Sequence, residues 1–330
     1  MEQRRFGRTD LKVSAIGFGA WGIGGPAMAG SMPIGWGAVD DAVSVLALER
    51  AYERGIIFYD TADFYGLGHS EDLIGRTFGN RPDVVIATKV GHRLDTDGTA
   101  ILDYSKKHIR AACEQSLRRL RRESIDLYQL HSARVEHFEQ GECLTALEQL
   151  QQEGKVRFWG VSLNTFAPEP EARFLMDHGL GHSMQLVLNI INQRSLPVIA
   201  EASAKGYGII ARMPLQFGLL TGKIRPDASF ASNDHRSFRL TPEIIRRTLE
   251  ALRELDPTLR RRNISLTSLA LSYCASAPGV STVIPGIKTP AQADSNTTDI
   301  IALTDDERAA IRDIAERRLT SVMELMQKQG

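Results

Sequence analysis

The chain alternates short β-rich runs with longer stretches of helical periodicity from about residue 15 onwards. Such alternation is typical of a parallel sheet built from successive strand and helix units. The number of units then decides the architecture. Eight runs have the composition of strands: 15–19, 56–60, 84–89, 125–130, 156–162, 184–189, 208–213 and 281–285.

A helical pattern follows every one of these runs, near 41–54, 70–78, 105–122, 142–153, 168–177, 197–205, 265–276 and 289–296. Three of these helices end just before Gly55, Gly79 and Gly154, where glycine favours a left-handed C-cap. Eight strands, each followed by a helix and joined without a linker, predict a (β/α)8 TIM barrel.

Three pieces lie outside the repeat. Residues 1–14 predict a short N-terminal β-hairpin, and a final helix is expected from residue 304 to about 318. The polar segment 221–243, after the seventh strand, is rich in Gly, Pro, Asn and Asp, which is typical of a long functional or mobile loop. No segment marks a boundary, so we expect a single domain over 1–330.

Charge and cysteine content narrow the classes of function. The 330 residues carry 40 basic and 40 acidic side chains, whereas nucleic acids and anionic membranes require clustered positive charge. Three distant cysteines show no pairing or metal-ligand spacing. Residues 1–10 contain no apolar h-region, and no run of about 18 apolar residues occurs in the sequence. We therefore expect a cytoplasmic protein without nucleic-acid or membrane partners.

The run "GFGAWG" at 17–22 matches the G-x-G-x-x-G pattern of dinucleotide-binding loops. In a Rossmann fold that loop opens a helix whose N-terminus holds the pyrophosphate. Here the following "IGGPAMAGSMPIGWG" is too rich in Gly and Pro to form such a helix. The pattern does not indicate a Rossmann domain.

Four polar residues lie at or just after the ends of predicted strands: Asp60, Tyr65, Lys89 and His131. Active sites of barrels gather at this end of the strands. A free tyrosine has a pKa near 10, and a neighbouring ammonium favours the phenolate. The set predicts proton donation to a carbonyl oxygen by Tyr65, with Lys89 supplying the charge, Asp60 holding Lys89, and His131 orienting the substrate.

Other polar side chains of "FYDTADFYG" are expected to be structural. Tyr59 precedes Asp60 in a strand, where successive side chains face opposite sides, so Tyr59 should point away from the lumen. Asp63 has no such partner set. A metal site from Asp60, Asp63, His69 and Glu71 has no familiar ligand spacing, and no metal is expected.

These segments together resemble the aldo-keto reductase family, in its bacterial-type, NADPH-dependent members, over essentially the whole chain. The tetrad matches in "YDTADFYG", "IATKVG" and "LYQLHS"; "GRTDLKVSAIGFGAW", "GKVRFWGVS", "PLQFGLLTGK" and "VIPGIKTPAQADSN" match further along. The resemblance implies a (β/α)8 barrel that binds a nicotinamide cofactor across the strand ends. It implies NADPH more often than NADH.

The same resemblance implies a set of cofactor-binding residues. They are Gly19, Ala20, Trp21, Asp60, Ser162, Asn164, Gln185, Arg212, Pro214, Leu215, Gly218, Leu220, Lys223, Gly286, Lys288, Gln292 and Asn296.

Three positions depart from the family pattern. Asn164 comes one residue late after Ser162, and Arg212 stands where many members place an aromatic under the nicotinamide ring. Lys288 is a lone cation where many NADPH-dependent members carry two. Arg212 can contact either the cofactor or a substrate anion.

Loops after the first four strands supply candidate substrate contacts, namely Trp21, Trp36, His92, Arg93 and Arg134. Aromatic and basic residues together suggest a small carbonyl substrate that is sugar-like or anionic. Two alternatives remain: a cofactor-binding regulatory subunit with slow turnover, and the reverse reaction as an aldose or alcohol dehydrogenase. The oligomeric state is not readable from the sequence.

Overall fold

The computed structural model describes residues 1–231, 234 and 236–329, and its centre is an eight-stranded parallel sheet. Each strand pairs with the next along the chain. Parallel bridges from Ile16 to Val283 and from Gly19 to Gly286 join the last strand to the first. The predicted (β/α)8 barrel is confirmed. Its strands are β1 (Phe18–Gly19), β2 (Phe58–Asp60), β3 (Val85–Val90), β4 (Ile125–His131), β5 (Val156–Ser162), β6 (Ser183–Val187), β7 (Gly208–Arg212) and β8 (Thr282–Ile284).

Helices surround this sheet, and several of them begin at a capping side chain. Asp40, Ser105 and Thr304 each accept a hydrogen bond from a backbone N–H of the first turn that follows, which satisfies donors that the helix itself leaves free. The α-helices are α1 (Asp41–Glu53), α2 (His69–Phe78), α3 (Lys106–Leu120), α4 (Val135–Gln140), α5 (Glu142–Gln152), α6 (Glu169–His178), α7 (Leu196–Ala204), α8 (Arg236–Arg239), α9 (Pro242–Leu252), α10 (Asp256–Arg262), α11 (Leu266–Ala275), α12 (Pro290–Thr297), α13 (Asp305–Ile314) and α14 (Thr320–Lys328).

Among the described residues, no helix combines the length and apolarity needed to cross a membrane.

The polar segment after β7 is partly helical. A 3-10 turn spans Gln216–Thr221, and α8 lies within the stretch 221–243 that the sequence predicts to be a loop. Residues 232, 233 and 235 of that predicted loop lie outside the described part of the chain. Helices α9 and α10 then lead to α11, the predicted helix of the seventh unit.

Two further hairpins stand above the strand ends, and the sequence did not predict them. The first pairs Met28–Ala29 with Met32–Pro33 after β1, and the second pairs His92–Leu94 with Ala100–Leu102 after β3. The backbone N–H of Gly30 donates to the Gly98 carbonyl at 2.7 Å. The two hairpins therefore support one another at the mouth of the barrel.

The lower part of the lumen is an apolar layer. It contains Phe58, Val85, Ala87, Leu127, Ile210 and Ile284, all buried. The N-terminal hairpin, formed by Gln3–Arg5 and Lys12–Ser14, closes this end with three buried side chains, Phe6, Leu11 and Val13. The ring of Phe6 fits against the backbone of Gly208, where a Cβ would lie 2.6 Å from the ring. The hairpin thus forms the floor of the barrel.

We expect Phe6→Ala to lower the free energy of unfolding by about 3–5 kcal/mol, because it empties a fully buried aromatic site at the barrel floor. Met28→Ala is the control, since Met28 is 49% exposed and such surface changes shift stability by only about 0.5 kcal/mol. Urea unfolding followed by circular dichroism measures both. Equal midpoints for the two variants would contradict the assigned role of the hairpin.

Candidate active site

The upper part of the lumen is a polar layer built on the same strand faces as the apolar one. Side chains two residues apart in a strand share a face, so Asp60 follows Phe58, Lys89 follows Ala87 and Gln129 follows Leu127. Asp60, Lys89 and Gln129 are almost fully buried. The change from apolar to polar along each strand therefore creates a site at the carboxyl ends.

Lys89 is the centre of this layer. Its ammonium donates to Asp60 Oδ1 at 2.5 Å, to the Thr61 carbonyl at 2.8 Å and to the Tyr65 hydroxyl at 3.3 Å. Burial pulls the pKa of Lys89 down, but attraction to Asp60 and Tyr65 outweighs it and leaves that pKa above its ordinary value. Lys89 is therefore a buried, charged donor in contact with Tyr65.

The second oxygen of Asp60 is held by two amides. Gln185 Nε2 donates to Asp60 Oδ2 at 2.7 Å and Gln129 Nε2 donates at 3.1 Å. Ser162 Oγ in turn donates to Gln185 Oε1 at 3.3 Å. Sequence reasoning missed Gln129, although its position two residues before His131 in β4 places it on the same face.

Tyr65 is placed by a tight contact between two loops. Gly66 has a φ of 62°, and a Cβ on it would lie only 1.9 Å from the Gly24 carbonyl oxygen. Glycine is therefore required beside Tyr65 both for the backbone angle and for the close approach. The ring of Trp21 stacks on that of Tyr65, with centroids 6.1 Å apart and planes 26° apart. Tyr65 lies between this indole and Lys89.

His131 and His92 form a pair of imidazoles beside Tyr65. The His131 centroid lies 5.9 Å from that of Tyr65 and 4.6 Å from that of His92, in an edge-to-face arrangement. Burial, aided by the neighbouring His92, Lys89 and Arg212, holds the pKa of His131 well below its ordinary value. Burial lowers the pKa of His92 to about 4. Both rings are neutral at pH 7.

Arg212 ends β7 as a half-buried cation. Its guanidinium donates to the Leu163 carbonyl at 3.1 Å and to Thr165 Oγ1 at 3.0 Å, while its Nε is buried without a partner. Burial lowers the pKa of Arg212, and the negative charge of Asp60 acts in the opposite direction. Arg212 is thus anchored by neutral acceptors only, with one donor unused.

The strand ends of β1 and β8 meet at the predicted cofactor residues. Gly19 N–H donates to the Pro285 carbonyl at 2.9 Å, and Ala20, which follows it, is fully buried. Gly286 has no atom within 4 Å of the place where a Cβ would stand, so the space above it is open. Asn296 Nδ2 donates to the Gly286 carbonyl at 3.4 Å.

Lys288 lies beside a second cation that the sequence did not indicate. Its backbone N–H donates to Gln292 Oε1 at 2.7 Å and its ammonium donates to the Trp36 carbonyl at 3.4 Å. Burial lowers the pKa of Lys288, and Arg236 lowers it further. Arg236 pairs with Asp234 at 2.5 Å and covers the ring of Trp36 at 5.1 Å. Arg236 comes from α8, far away in sequence, and no local pattern pointed to it.

The segment after β7 has a distorted backbone. Residues 216–218 all have positive φ, of 42°, 54° and 95°, a conformation that clusters at ligand-binding sites. The Leu215 carbonyl accepts from Gly218 N–H at 2.9 Å and from Leu220 N–H at 3.2 Å. Leu220 is fully buried and Lys223 is exposed.

One of the predicted cofactor residues, Asn164, bonds to the local backbone. Asn164 Oδ1 accepts from the N–H groups of Phe166 and Ala167, both at 2.9 Å. Pro214 follows β7 and is buried. The structure places Gln185 against Asp60 and Ser162 against Gln185, and it directs the side-chain amide oxygen of Asn164 into a turn.

The two predicted rim arginines are paired with carboxylates. Arg93 Nε contacts Asp103 Oδ2 at 2.9 Å and its Nη1 lies 3.5 Å from Asp95 Oδ1. Arg134 Nη1 lies 3.7 Å from Glu171 Oε1. Both charges therefore have protein counter-ions.

Tyr59 points away from the lumen, as predicted. Its hydroxyl donates to the Leu48 carbonyl at 3.2 Å, and its ring lies 4.7 Å from that of Phe78. Two acids of the alternative metal site have cationic partners instead: Glu71 pairs with Arg119 at 2.7 Å and Asp60 pairs with Lys89.

The chain belongs to the aldo/keto reductase family, whose sequence profile matches residues 15–316. This confirms the resemblance carried by the tetrad and the later segments. The protein is accordingly an oxidoreductase of a class that uses nicotinamide cofactors.

Three relatives cover almost the whole chain. An uncharacterized oxidoreductase, YqkF, of Bacillus subtilis (strain 168) is 31% identical over 94% of this chain and 96% of its own. L-galactose dehydrogenase of Arabidopsis thaliana is 29% identical over 92% and 89%. The solved structure of glycerol dehydrogenase AKR11B4 from Gluconobacter oxydans is 30% identical, with a TM-score of 0.81 over 96% of each chain.

The low pKa of His92 makes stability depend on pH. Its ordinary value is 6.5 and its folded value is about 4, so the unfolded chain binds more protons between these values and stability is lost as pH falls through that window. Between pH 7 and pH 5 we expect this group to cost about 1–2 kcal/mol.

His92→Phe should therefore flatten the decline in the free energy of unfolding between pH 7 and pH 5, measured by urea titration at each pH. His178→Phe is the control, because His178 is exposed to water and its loss should leave the slope unchanged. Parallel curves for the wild type and His92→Phe would show that His92 is not buried as a neutral ring.

Proposed function

We propose that the protein reduces a small aldehyde or ketone to the alcohol, with hydride from NADPH and with Tyr65 as the general acid. The observation that carries this proposal is the position of Lys89, whose one ammonium contacts both Asp60 and the Tyr65 hydroxyl. A buried cation in contact with a phenol stabilises the phenolate that proton donation leaves behind.

Each member of the tetrad has a distinct task in this reaction. Tyr65 donates its hydroxyl proton to the substrate oxygen as negative charge develops there. Lys89 stabilises the resulting phenolate, and Asp60 keeps Lys89 charged and fixed in position. His131, neutral because of burial, donates a hydrogen bond to the same oxygen and so orients the carbonyl towards Tyr65.

The strand ends offer groups suited to a nicotinamide dinucleotide. When bound, this cofactor supplies the hydride that proton donation alone lacks. Ser162 and Gln185 stand together at the ends of β5 and β6, and the unused Nε of Arg212 is a donor that has no acceptor among the described residues. Gly218, Leu220 and Lys223 would lie along the diphosphate, with Lys223 supplying charge.

NADPH is favoured over NADH by two neighbouring cations. Lys288 and Arg236 lie close enough for Arg236 to lower the pKa of Lys288. A 2′-phosphate on the adenosine ribose would relieve this repulsion, since phosphate is recognised by ammonium and guanidinium groups. Lys288 is the residue that we assign to that phosphate.

The substrate is proposed to be small and hydroxylated. Arg93 and Arg134, the rim cations, are already paired with carboxylates, which weakens the case for an anionic substrate. Two relatives are named as dehydrogenases of L-galactose and of glycerol, both polyhydroxylated compounds.

A reducing, cytoplasmic location is also proposed. Cys113, Cys143 and Cys274 are buried and unpaired, and thiols of this kind are typical of a reducing compartment.

We expect Tyr65→Phe to lower kcat at least about 100-fold with aldehydes, because removal of a positioned acid typically costs that much or more. Dissociation constants for NADPH, measured by quenching of tryptophan fluorescence, should stay unchanged. Wild-type turnover between about 1 and 1000 per second supports an enzyme. Tight NADPH binding with the same trace turnover in both proteins would instead favour a regulatory subunit.

Lys288→Ala should raise the dissociation constant for NADPH about 10- to 100-fold, the usual contribution of a charge-assisted hydrogen bond. The affinity for NADH should change little, because NADH lacks the 2′-phosphate. Lys223→Ala is the matched variant, expected to weaken both cofactors equally through the diphosphate. Equal losses for both cofactors in Lys288→Ala would remove the assignment of Lys288.

A further inference from the structure

The pair of imidazoles at the mouth of the barrel has a feature that proton donation does not use. His92 and His131 each carry a buried Nδ1 without a partner. The two residues are half-buried and Nδ1 is the buried nitrogen of each ring, so Nε2 is assigned to the accessible edge. Among the described residues, no hydrogen bond to either imidazole is found.

The geometry points to a hydroxyl-binding subsite at His92, which makes neutral α-hydroxyaldehydes the favoured substrates. This inference rests on the proposed function, because it places the substrate carbonyl between Tyr65 and His131. His92 then stands next to the carbon that neighbours the carbonyl, since its ring centroid lies 4.6 Å from that of His131.

The charge of the two rings decides which ligand suits them. With its pKa lowered to about 4 by burial, His92 offers one N–H donor and one acceptor and no positive charge. An N–H buried without an acceptor is costly, so the proton belongs on the accessible Nε2 of each ring. A hydroxyl group matches such a ring, because it can accept from the N–H, whereas a carboxylate gains no ion pair.

Cations around the pair do not change this preference. Arg93 and Arg134 have their own carboxylate partners. Arg212 is held by the Leu163 carbonyl and Thr165 at the end of β7, and its remaining Nε donor is the one assigned above to the cofactor. Lys89 is fully buried and contacts Asp60.

The packing of His92 fixes the position of its ring. Phe64 lies against it, with centroids 5.4 Å apart, and the antiparallel hairpin of His92–Leu94 with Ala100–Leu102 holds its backbone. Because these contacts already fix the ring, binding a hydroxyl costs little further side-chain entropy.

The test compares three aldehydes with NADPH: glyceraldehyde, propanal, which lacks the hydroxyls, and succinic semialdehyde, which is anionic. We expect the wild type to favour glyceraldehyde over propanal about 10-fold or more in kcat/KM, because a site built for a hydroxyl is left unpaired without one. Succinic semialdehyde should be poorer than glyceraldehyde.

His92→Phe keeps a ring against Phe64 and His131 but removes the donor. It should lower kcat/KM for glyceraldehyde about 5- to 10-fold, mainly through KM, the size of one neutral hydrogen bond. Propanal should change less than about 2-fold. His92→Gln, which restores a donor and an acceptor, should recover part of the preference, and His178→Phe should leave both substrates unchanged.

Each outcome distinguishes the inference from the proposed function. If propanal is reduced in a Tyr65-dependent manner but His92→Phe affects all aldehydes equally, only the subsite at His92 is overturned. A wild type that favours succinic semialdehyde overturns the subsite as well. If no aldehyde gives Tyr65-dependent turnover, the proposed function itself fails and the subsite with it.

Discussion

The site depends on one buried ion pair, that of Lys89 with Asp60. A buried ammonium is stable only when a negative charge lies beside it and its other N–H groups donate to hydrogen-bond acceptors. Asp60, the Thr61 carbonyl and the Tyr65 hydroxyl meet those needs. Removal of either charge would leave the other buried and alone, at a cost of about 3–5 kcal/mol. The same pair therefore fixes the positions of β2 and β3 and of the loop that carries Tyr65.

The Lys89–Asp60 pair is also part of a hydrogen-bond network that crosses the lumen. Asp60 has a second oxygen, and Gln129 and Gln185 satisfy it from β4 and β6. Ser162 adds β5 through Gln185. A chain of hydrogen bonds thus joins five consecutive strands, β2 to β6, at the level where the lumen changes from apolar to polar. Through Lys89 the same chain reaches the hydroxyl of Tyr65.

Much of this arrangement was readable from the sequence because it follows local rules. The alternation of strand and helix runs predicts the barrel. Asp60 and Lys89 lie near the ends of their strands, and the alternation of side chains along a strand turns both towards the lumen. The same alternation would also have identified Gln129, two residues before His131 in β4. The hairpins at 28–33 and 92–102, the pairing of Arg134 with Glu171 and the approach of Arg236 to Lys288 arise from contacts distant in sequence. Periodicity carries no information about such contacts, so these features appear only in three dimensions.

The contact between Gly24 and Gly66 has a consequence for how such a barrel can diversify. As far as residue 24, the loop after β1 packs against the loop that carries Tyr65. Insertions in this part would displace Tyr65. Beyond that point the hairpin at 28–33 meets the rest of the mouth through a single described backbone bond to Gly98. A longer or different outer hairpin would therefore change the entrance of the barrel while Tyr65 keeps its position. The range of substrates can change in this way without a change in the residues of the polar layer.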